Sequence, residues 1–227
     1  MKIVGTIYIP FLALMTPFFG VQAADTIKQG QKAAAVVVAA SRADNKKNMN
    51  NKTWQLKKRF LEERNNPSVR AFLDTIALAE GTYYAGAKGY QMCYPGKVLF
   101  NSFECHPATI RCATYNNKKL CSSAAGRYMF LEFIWNTIAK RLDLQDFSPL
   151  NQDLAAIYLL NEKRALDDIK ENRFKEAVNK VKGLWSSLPG SYHNQPTKQY
   201  RPLKKFFEER RTHHTRYMAP AGGWRLW

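Results

Sequence analysis

The sequence predicts an α+β fold that is mainly helical, with a small β-hairpin lobe held by disulfide bonds. Two blocks of helical periodicity, before residue 82 and after residue 128, flank a segment of different character. That segment, residues 90–121, mixes turn dipeptides with short β-prone runs and contains all four cysteines. Helices and strands in separate stretches of chain are typical of the α+β class.

The length and charge of the chain limit its organisation and its partners. With 227 residues it is long enough for one domain core with appendages. Its formal net charge of +17 indicates an anionic partner. Nucleic acid, an acidic membrane surface and a polyanionic cell-wall matrix all remain open on charge alone.

The N-terminus has the pattern of a secretory signal peptide. Lys2 precedes an uncharged stretch from Ile3 to Ala24, and Val21-Gln22-Ala23 is a small-residue cleavage pattern. The alternative is an uncleaved membrane anchor, because the stretch is long enough to span a bilayer. Pro10, Pro17 and Gly20 within the stretch favour cleavage near Ala23. We therefore predict a signal peptide over residues 1–23 and a secreted or periplasmic mature chain.

Residues 24–66 are predicted to be a basic N-terminal extension. Their Ala/Val run, residues 33–40, is too short to cross a membrane and favours a short helix. The Asn/Lys-rich stretch that follows is typical of a solvated connector with a helical end. An electrostatic tether to anionic polymers is the alternative interpretation.

The first helix of the central block has clear start and stop signals. Asn66 and Pro67 are typical of an N-cap and a first helical residue, and Gly81 is typical of a C-terminal stop. Between them, apolar residues recur at helical spacing. The same spacing returns in three later stretches, which begin at Met129, Ser148 and Phe174.

The four cysteines are expected to form two disulfide bonds, because export leads to an oxidising compartment. The dipeptide Asn116-Asn117 suits a two-residue hairpin turn, which would place Cys112 and Cys121 opposite each other. That leaves Cys93 to pair with Cys105. A four-cysteine zinc site is disfavoured, because no two cysteines have the short spacing of zinc ligands.

Glu80 is an acidic residue where the apolar face of the first helix should finish. At about 100° per residue it lies roughly 20° from Val69, whereas Asp74 lies near 140°, toward solvent. Burial and the helix C-terminus should both raise the pKa of Glu80, as a general acid requires. The alternative is an ordinary solvent-facing glutamate. A second catalytic carboxylate is not placed by any pattern, since Glu104 and Glu132 have no evident relation to Glu80.

Several motifs resemble, in order and spacing, the endolysin family related to the lysozyme of phage lambda. They are "RAFLDTIALAEGT", "GYQMCYPGKVLF", "AAGRYMFL", "LDLQDFSPLNQDLAAIYLL" and "LWSSLPGSYHNQPTK". The resemblance covers about residues 68–200 and implies a lysozyme-like catalytic domain over residues 67–200, with the hairpin lobe flanking the active-site cleft. The family members are lytic transglycosylases, which cleave the β-1,4 bond between N-acetylmuramic acid and N-acetylglucosamine without water.

The resemblance also implies roles for single residues. The family's one catalytic glutamate falls on Glu80, and the C6 hydroxyl of the substrate replaces a second carboxylate as nucleophile. Substrate-binding residues are expected in "AGRY", at two aromatic positions and at one glutamine: Gly126, Arg127, Tyr128, Tyr90, Tyr192 and Gln195. For Gly126 a packing role, and for Tyr90 and Tyr192 a core role, are the alternatives. Met129 stands where the family commonly has glutamine, which removes one expected polar contact.

Residues 201–227 are predicted to form a basic C-terminal tail. They contain an adjacent histidine pair, His213 and His214, for which we expect solvation rather than metal binding. No metal or organic cofactor is implied by the sequence.

The sequence therefore predicts an exported, monomeric lytic transglycosylase with Glu80 as general acid and base. The expected partners are peptidoglycan glycan strands and anionic cell-wall polymers. Nucleic acid is not expected, and neither is a membrane span after signal cleavage. A hydrolytic muramidase that uses water is the first alternative. A non-catalytic, cationic wall-binding or antimicrobial protein is the second.

Overall fold

The computed structural model describes residues 51–96, 98–115, 117–193 and 196–218. The described part of helix α1 covers residues 51–64, and α2 spans Pro67–Ala79. A 3₁₀ segment, Tyr83–Gln91, is broken at Gly86. Four short strands follow: β1 (Met92–Cys93), β2 (Val98–Leu99), β3 (Arg111–Tyr115) and β4 (Lys118–Ser122). The remaining helices are α3 (Glu132–Leu142), α4 (Pro149–Glu162), α5 (Leu166–Lys170), α6 (Phe174–Val181) and α7 (Tyr200–Met218).

Helix α2 is the central element of the core. The Asn66 side chain accepts hydrogen bonds from the backbone N–H of Ser68 at 2.9 Å and of Val69 at 3.3 Å, and Pro67 opens the helix. These contacts satisfy N–H groups that the first helical turn leaves without partners. The start and stop predicted for this helix are confirmed. Its buried residues lie on more than one face, because neighbouring helices contact it from several sides.

The β lobe consists of two antiparallel, two-stranded sheets, β1–β2 and β3–β4. In the second sheet Tyr115 pairs with Lys118, so the connection is the predicted two-residue loop, in which Asn117 has a φ of 58°. Cys112 and Cys121 are direct partners in this register and form a disulfide bond with an S–S distance of 2.03 Å. The mainly helical α+β fold with a disulfide-linked hairpin is therefore confirmed.

The second predicted disulfide bond, Cys93–Cys105, is wrong. Cys93 belongs to β1, and its side chain packs in the hydrophobic core at 2% exposure. Cys105 lies in an exposed position of the loop between β2 and β3, and its thiol is free. The predicted pairing rests on elimination, which assumes that every cysteine has a partner. A buried free cysteine instead behaves as a small apolar side chain.

Thiol counting is expected to give one readily reactive thiol in the native chain and two after unfolding without reductant. The exposed Cys105 accounts for the first, and burial protects Cys93 until the core opens. A thiol reagent with a coloured leaving group measures both counts. A chain without any free thiol after unfolding would contradict this assignment, and Cys105→Ser, which should remove only the native signal, is the control.

The predicted basic tail is in fact helical up to residue 218. Helix α7 packs along α2, and its residues Leu203 and Phe207 are 2% and 0% exposed. Their spacing of four residues places both side chains on one face of α7. Phe207 stacks on Phe174 with ring centroids 5.1 Å apart. The fold therefore extends beyond the predicted boundary at residue 200, while residues 219–227 lie outside the described residues.

The fold also extends N-terminally into the predicted basic extension. Helix α1 provides the expected helical end, and its Phe60 is fully buried in the core. Arg64 forms an ion pair with the buried Asp153 of α4, with Nε and Oδ2 2.8 Å apart. The signal-peptide prediction and the Ala/Val run fall outside the described residues. Within the described ranges, no helix is long and apolar enough to cross a membrane.

Candidate active site

Helix α2 ends in a backbone motif that places Glu80 at its C-cap. The N–H of Gly81 bonds to the carbonyl of Leu78 at 3.2 Å, and the N–H of Thr82 bonds to that of Ala77 at 2.9 Å. This pair of bonds is the Schellman arrangement, which needs a left-handed residue after the C-cap. Gly81 supplies it with a φ of 78°. The glycine of the "EGT" motif thus stops the helix directly after Glu80.

Thr82 connects this helix end to the segment before α3. Its side chain is fully buried, and its hydroxyl lies 2.6 Å from the carbonyl oxygen of Arg127 and 3.1 Å from that of Ala77. A buried hydroxyl without a partner would be costly, so these contacts fix the position of the turn. The glycine and the threonine of the "EGT" motif therefore both have structural roles next to Glu80.

The carboxyl group of Glu80 is half-buried and in contact with a distant part of the chain. The hydroxyl of Ser187 donates a hydrogen bond to Glu80 Oε1. Burial raises the pKa of Glu80 to about 7, although the bond from Ser187 and the positive charge of Lys198 both act to lower that pKa. A large fraction of the side chain is then protonated at neutral pH, as a general acid requires.

Ser187 and Lys198 lie at the two ends of a loop, residues 187–198, that closes on itself. The backbone N–H of Lys198 bonds to the carbonyl of Ser187 at 2.8 Å. Tyr192 stands 71% exposed in this loop, with its ring centroid 4.9 Å from that of His193. The loop thus places an exposed aromatic ring on the segment that contacts Glu80. The predicted site residue Gln195 belongs to the same loop but lies outside the described residues.

Sequence reasoning missed Ser187 and Lys198. Ser187 lies 107 residues from Glu80, so no periodicity relates the two. The sequence signal for Ser187 is the "SSLPG" part of a motif that resembles the family. The resemblance assigns no role to this serine.

Two predicted substrate contacts, those of Gly126 and Tyr128, are corrected by their burial. Tyr128 is 1% exposed, and its hydroxyl donates to Asp153 Oδ1 at 2.6 Å. Gly126 has a φ of 79° and packs directly against Gln152 and Phe147. Both residues hold the segment before α3 in place, because neither side-chain position faces solvent.

The predicted residue Arg127 contacts Asp74, and the predicted residue Tyr90 packs against Arg127 while its hydroxyl donates to Asp153 Oδ1 at 2.8 Å. The Arg127 guanidinium lies over the Tyr90 ring at 5.1 Å, and its Nη2 donates to Asp74 Oδ1 at 2.9 Å. Asp74 Oδ2 accepts from Arg210 Nε at 2.9 Å and lies 2.8 Å from His214 Nε2. The expectation of a solvent-facing Asp74 is therefore wrong, and so is that of a solvated His214, because α7 covers this side of α2.

Ser187→Ala is expected to move the alkaline limb of the kcat/KM profile to higher pH. The serine hydroxyl lowers the pKa of Glu80, so its loss leaves that pKa higher. Because a general acid acts in its protonated form, a higher pKa preserves activity to higher pH, by about one unit for a lost hydrogen bond. The rate of turbidity loss of a peptidoglycan suspension measures the profile.

The matched control for this prediction is Ser102→Ala. The Ser102 hydroxyl accepts a hydrogen bond from the N–H of Glu104 in an exposed turn, away from Glu80 in the sequence. Its removal should leave the profile unchanged. A profile that is identical in Ser187→Ala and in the parent chain would contradict the assigned contact.

The described residues contain no group of three or more His, Cys, Asp or Glu side chains that could hold a metal ion. The chemistry available at Glu80 is that of a carboxyl group near a hydroxyl and an ammonium group. Such an arrangement can donate and accept a proton.

Comparison with known proteins gives concordant matches. The family model described as Endolysin matches residues 70–213. The endolysin of Escherichia phage P2 is 38% identical over 137 residues, which cover 56% of this chain and 83% of the phage protein. The endolysin of Escherichia phage lambda is 37% identical over 134 residues, which cover 57% of this chain and 82% of the phage protein.

Solved structures agree with these matches. The structure of bacteriophage lambda lysozyme complexed with a chitohexasaccharide gives a TM-score of 0.59 at 35% identity, and the match covers 64% of this chain and 94% of that one. A second structure, of lysozyme from bacteriophage lambda, gives a TM-score of 0.52 at 30% identity, with 66% and 94% covered. The predicted resemblance and the predicted lysozyme-like fold are confirmed. The chain belongs to the endolysin family and has the fold of lambda lysozyme.

Proposed function

We propose that this endolysin cleaves the glycan strands of peptidoglycan by the lytic transglycosylase route, with Glu80 as general acid and base. One observation carries the proposal. The side chain that bonds to the Glu80 carboxyl group is that of Ser187, the nearby charge that acts on it is that of Lys198, and neither is a second carboxyl group. Ordinary glycoside hydrolysis uses two carboxyl groups about the scissile bond, so a site with one favours a nucleophile supplied by the substrate.

The proposed reaction needs two proton transfers and no water. Protonated Glu80 donates its proton to the glycosidic oxygen, and the bond from C1 of N-acetylmuramic acid to that oxygen breaks. The Glu80 carboxylate then takes the proton of the C6 hydroxyl as O6 bonds to C1. The product ends in a 1,6-anhydro ring, and Glu80 is protonated again. Attack within one sugar is helped by proximity, which contributes about 7 to 11 kcal/mol in the best-oriented cases.

Ser187 and Lys198 suit the two states that this cycle requires of Glu80. Burial favours the protonated acid before the first transfer, whereas the serine hydroxyl and the lysine charge favour the carboxylate after it. Opposing effects of this kind keep the pKa near 7, where both forms are accessible. The hydrogen bond to Oε1 also fixes the orientation of the carboxyl group.

We assign glycan binding to the face that carries the loop of residues 187–198. The exposed ring of Tyr192 offers a flat apolar surface on which a pyranose can stack. The lambda lysozyme structure that matches this chain is complexed with a chitohexasaccharide, which supports a glycan strand as the ligand here. Gln195 remains a proposed contact on the same loop.

Analysis of the products tests the chemical route. Peptidoglycan digested by the chain from Ala24 onward, in water enriched in oxygen-18, is examined by mass spectrometry. Transglycosylation gives muramic ends that are lighter by one water and carry no label. Labelled reducing ends without anhydro product would instead establish a hydrolytic muramidase.

We further propose that the chain is exported by residues 1–23 and acts as a monomer in the periplasm or outside the cell. The formal charge of +17 supports attraction to anionic cell-wall polymers as well as to the glycan. Expression with and without residues 1–23, followed by fractionation, tests export. Retention of the full-length chain in the cytoplasm would contradict it.

A further inference from the structure

A pocket that the proposed chemistry does not use lies between α2, the 3₁₀ segment and α7. Its volume is about 430 Å³, within the range of small-ligand sites. We call it the arginine–tyrosine pocket. Its charged and aromatic lining residues are Arg70, Asp74, Tyr83, Tyr84, Tyr90, Arg127, Arg210 and His214.

The pocket carries an excess of positive charge. Asp74 is its one carboxylate and is already bonded to Arg127 and Arg210. Arg70 has no ion pair within the described residues. Burial holds the pKa of His214 below its ordinary value despite the contact with Asp74, so burial disfavours a further positive charge here. Three guanidinium groups against one carboxylate give the lining of the pocket a net charge of +2.

The aromatic side chains give the pocket an apolar wall beside this charge. The Arg127 guanidinium lies 5.6 Å from the centre of the Tyr83 ring, and that of Arg210 lies 5.7 Å from it. Tyr84 is 84% exposed and contacts Tyr83 edge to face, with centroids 5.3 Å apart. Flat rings next to guanidinium forks suit a ligand that has both an apolar ring face and an anionic group.

This pocket is separate from the Glu80 site. Asp74 and Glu80 are six residues apart on one helix, which is about 9 Å along the axis and about 120° around it. Asp74 faces α7, whereas Glu80 contacts the loop of residues 187–198. A ligand of the pocket would therefore not occupy the position of the scissile bond.

We propose that the arginine–tyrosine pocket binds an acidic sugar, a pyranose that carries a carboxylate or phosphate group. Arginine forks bind either oxyanion through paired N–H donors, and the tyrosine rings contact the sugar. Such sugars occur in acidic cell-wall polymers. That the bound sugar comes from the cell wall rests on the proposed function, whereas binding of an acidic sugar by the pocket does not. The pocket would hold the enzyme on an anionic polymer while Glu80 acts on a neutral part of the strand.

A matched series of monosaccharides tests the proposal. Glucose, glucuronate and glucose 6-phosphate share one ring and differ in charge. Each is titrated at low ionic strength into the Glu80→Gln full chain, and binding is followed by the side-chain Nε–H resonances of arginine. We expect an acidic sugar to bind at least about tenfold more tightly than glucose, as charged hydrogen bonds allow. The tighter of the two acids distinguishes a carboxylated source from a phosphorylated one.

Arg70→Gln is the informative variant, because it removes a pocket charge without breaking an ion pair. Its affinity for the acidic sugar should fall about threefold or more, as loss of one charged contact requires. Arg201→Gln, which removes the same charge from an exposed position of α7, is the control and should bind normally. Equal binding of all three sugars, or equal affinities of the two variants, would overturn the proposal. Neither result depends on turnover, so failure here is distinct from failure of the Glu80 mechanism.

Discussion

Glu80→Gln is expected to lower the rate of peptidoglycan cleavage by about 10²- to 10⁴-fold. Glutamine has nearly the same shape, and its side-chain oxygen can still accept the hydrogen bond from Ser187. It cannot, however, give a proton to the glycosidic oxygen or take one from the C6 hydroxyl. The loss should therefore appear in kcat, with little change in the fold. Release of soluble muropeptides under initial-rate conditions measures it.

The control for this prediction is Glu104→Gln, which changes an exposed carboxylate of the β lobe in the same way. It should retain the activity of the parent chain. Full activity of Glu80→Gln would overturn the site assignment. Lysis that survives Glu80→Gln but falls when Arg201 and Lys205, two exposed cations of α7, become glutamine would favour the cationic wall-binding alternative.

The same variant should be more stable than the parent chain at alkaline pH. The pKa of Glu80 rises from 4.5 to about 7 on folding, so the folded chain holds this proton more tightly than the unfolded chain does. Stability is then lost as pH increases from 4.5 to 7, and the full loss persists above that range. Glutamine carries no proton to lose, so Glu80→Gln should gain at most about 3 kcal/mol above pH 7 and nothing below pH 4.5. Thermal unfolding at both pH extremes compares the two chains.

The parts of the fold that local chemistry determines could be predicted from the sequence. Asn66, Pro67 and Gly81 act on the backbone within one turn of a helix end, so their positions alone define α2. The Cys112–Cys121 bond follows in the same way from a two-residue turn and strand register. The inward phase of Glu80 and the raised pKa also depend on α2 itself and on its burial.

Features that depend on distant packing could not be predicted. Helical periodicity predicts that Asp74 lies opposite the apolar stripe of α2. It carries no information about which other element packs against that side. Helix α7 covers it and supplies Arg210 and His214, 136 and 140 residues away along the chain. The strongly basic sequence of α7 predicts a tail, whereas a few buried side chains hold the helix in place.

Gly126→Ala is expected to destabilise the fold by about 2 to 5 kcal/mol. A φ of 79° is unfavourable for alanine by roughly 1 to 2 kcal/mol. The added Cβ would also collide with Gln152 Oε1 and would lie 2.8 Å from a Phe147 ring atom. Gln152 is fully buried and accepts from the N–H of Arg127 at 2.9 Å, so its displacement costs a further 1 to 3 kcal/mol, roughly that of a buried group left unpaired. Urea unfolding measures the change as a lower midpoint at constant slope.

Gly86→Ala separates backbone strain from packing, since Gly86 has a φ of 57° but no atom within 4 Å of the added Cβ. It should cost only the strain of this backbone conformation, about 1 to 3 kcal/mol. The comparison also decides between the two roles considered for Gly126. Close approach of the glycan to this backbone would make Gly126→Ala stable but inactive, whereas packing against Gln152 makes it unstable, with normal activity in the fraction that remains folded. The second result is expected, because Gly126 is buried beneath Gln152 and Phe147 and no sugar can reach it.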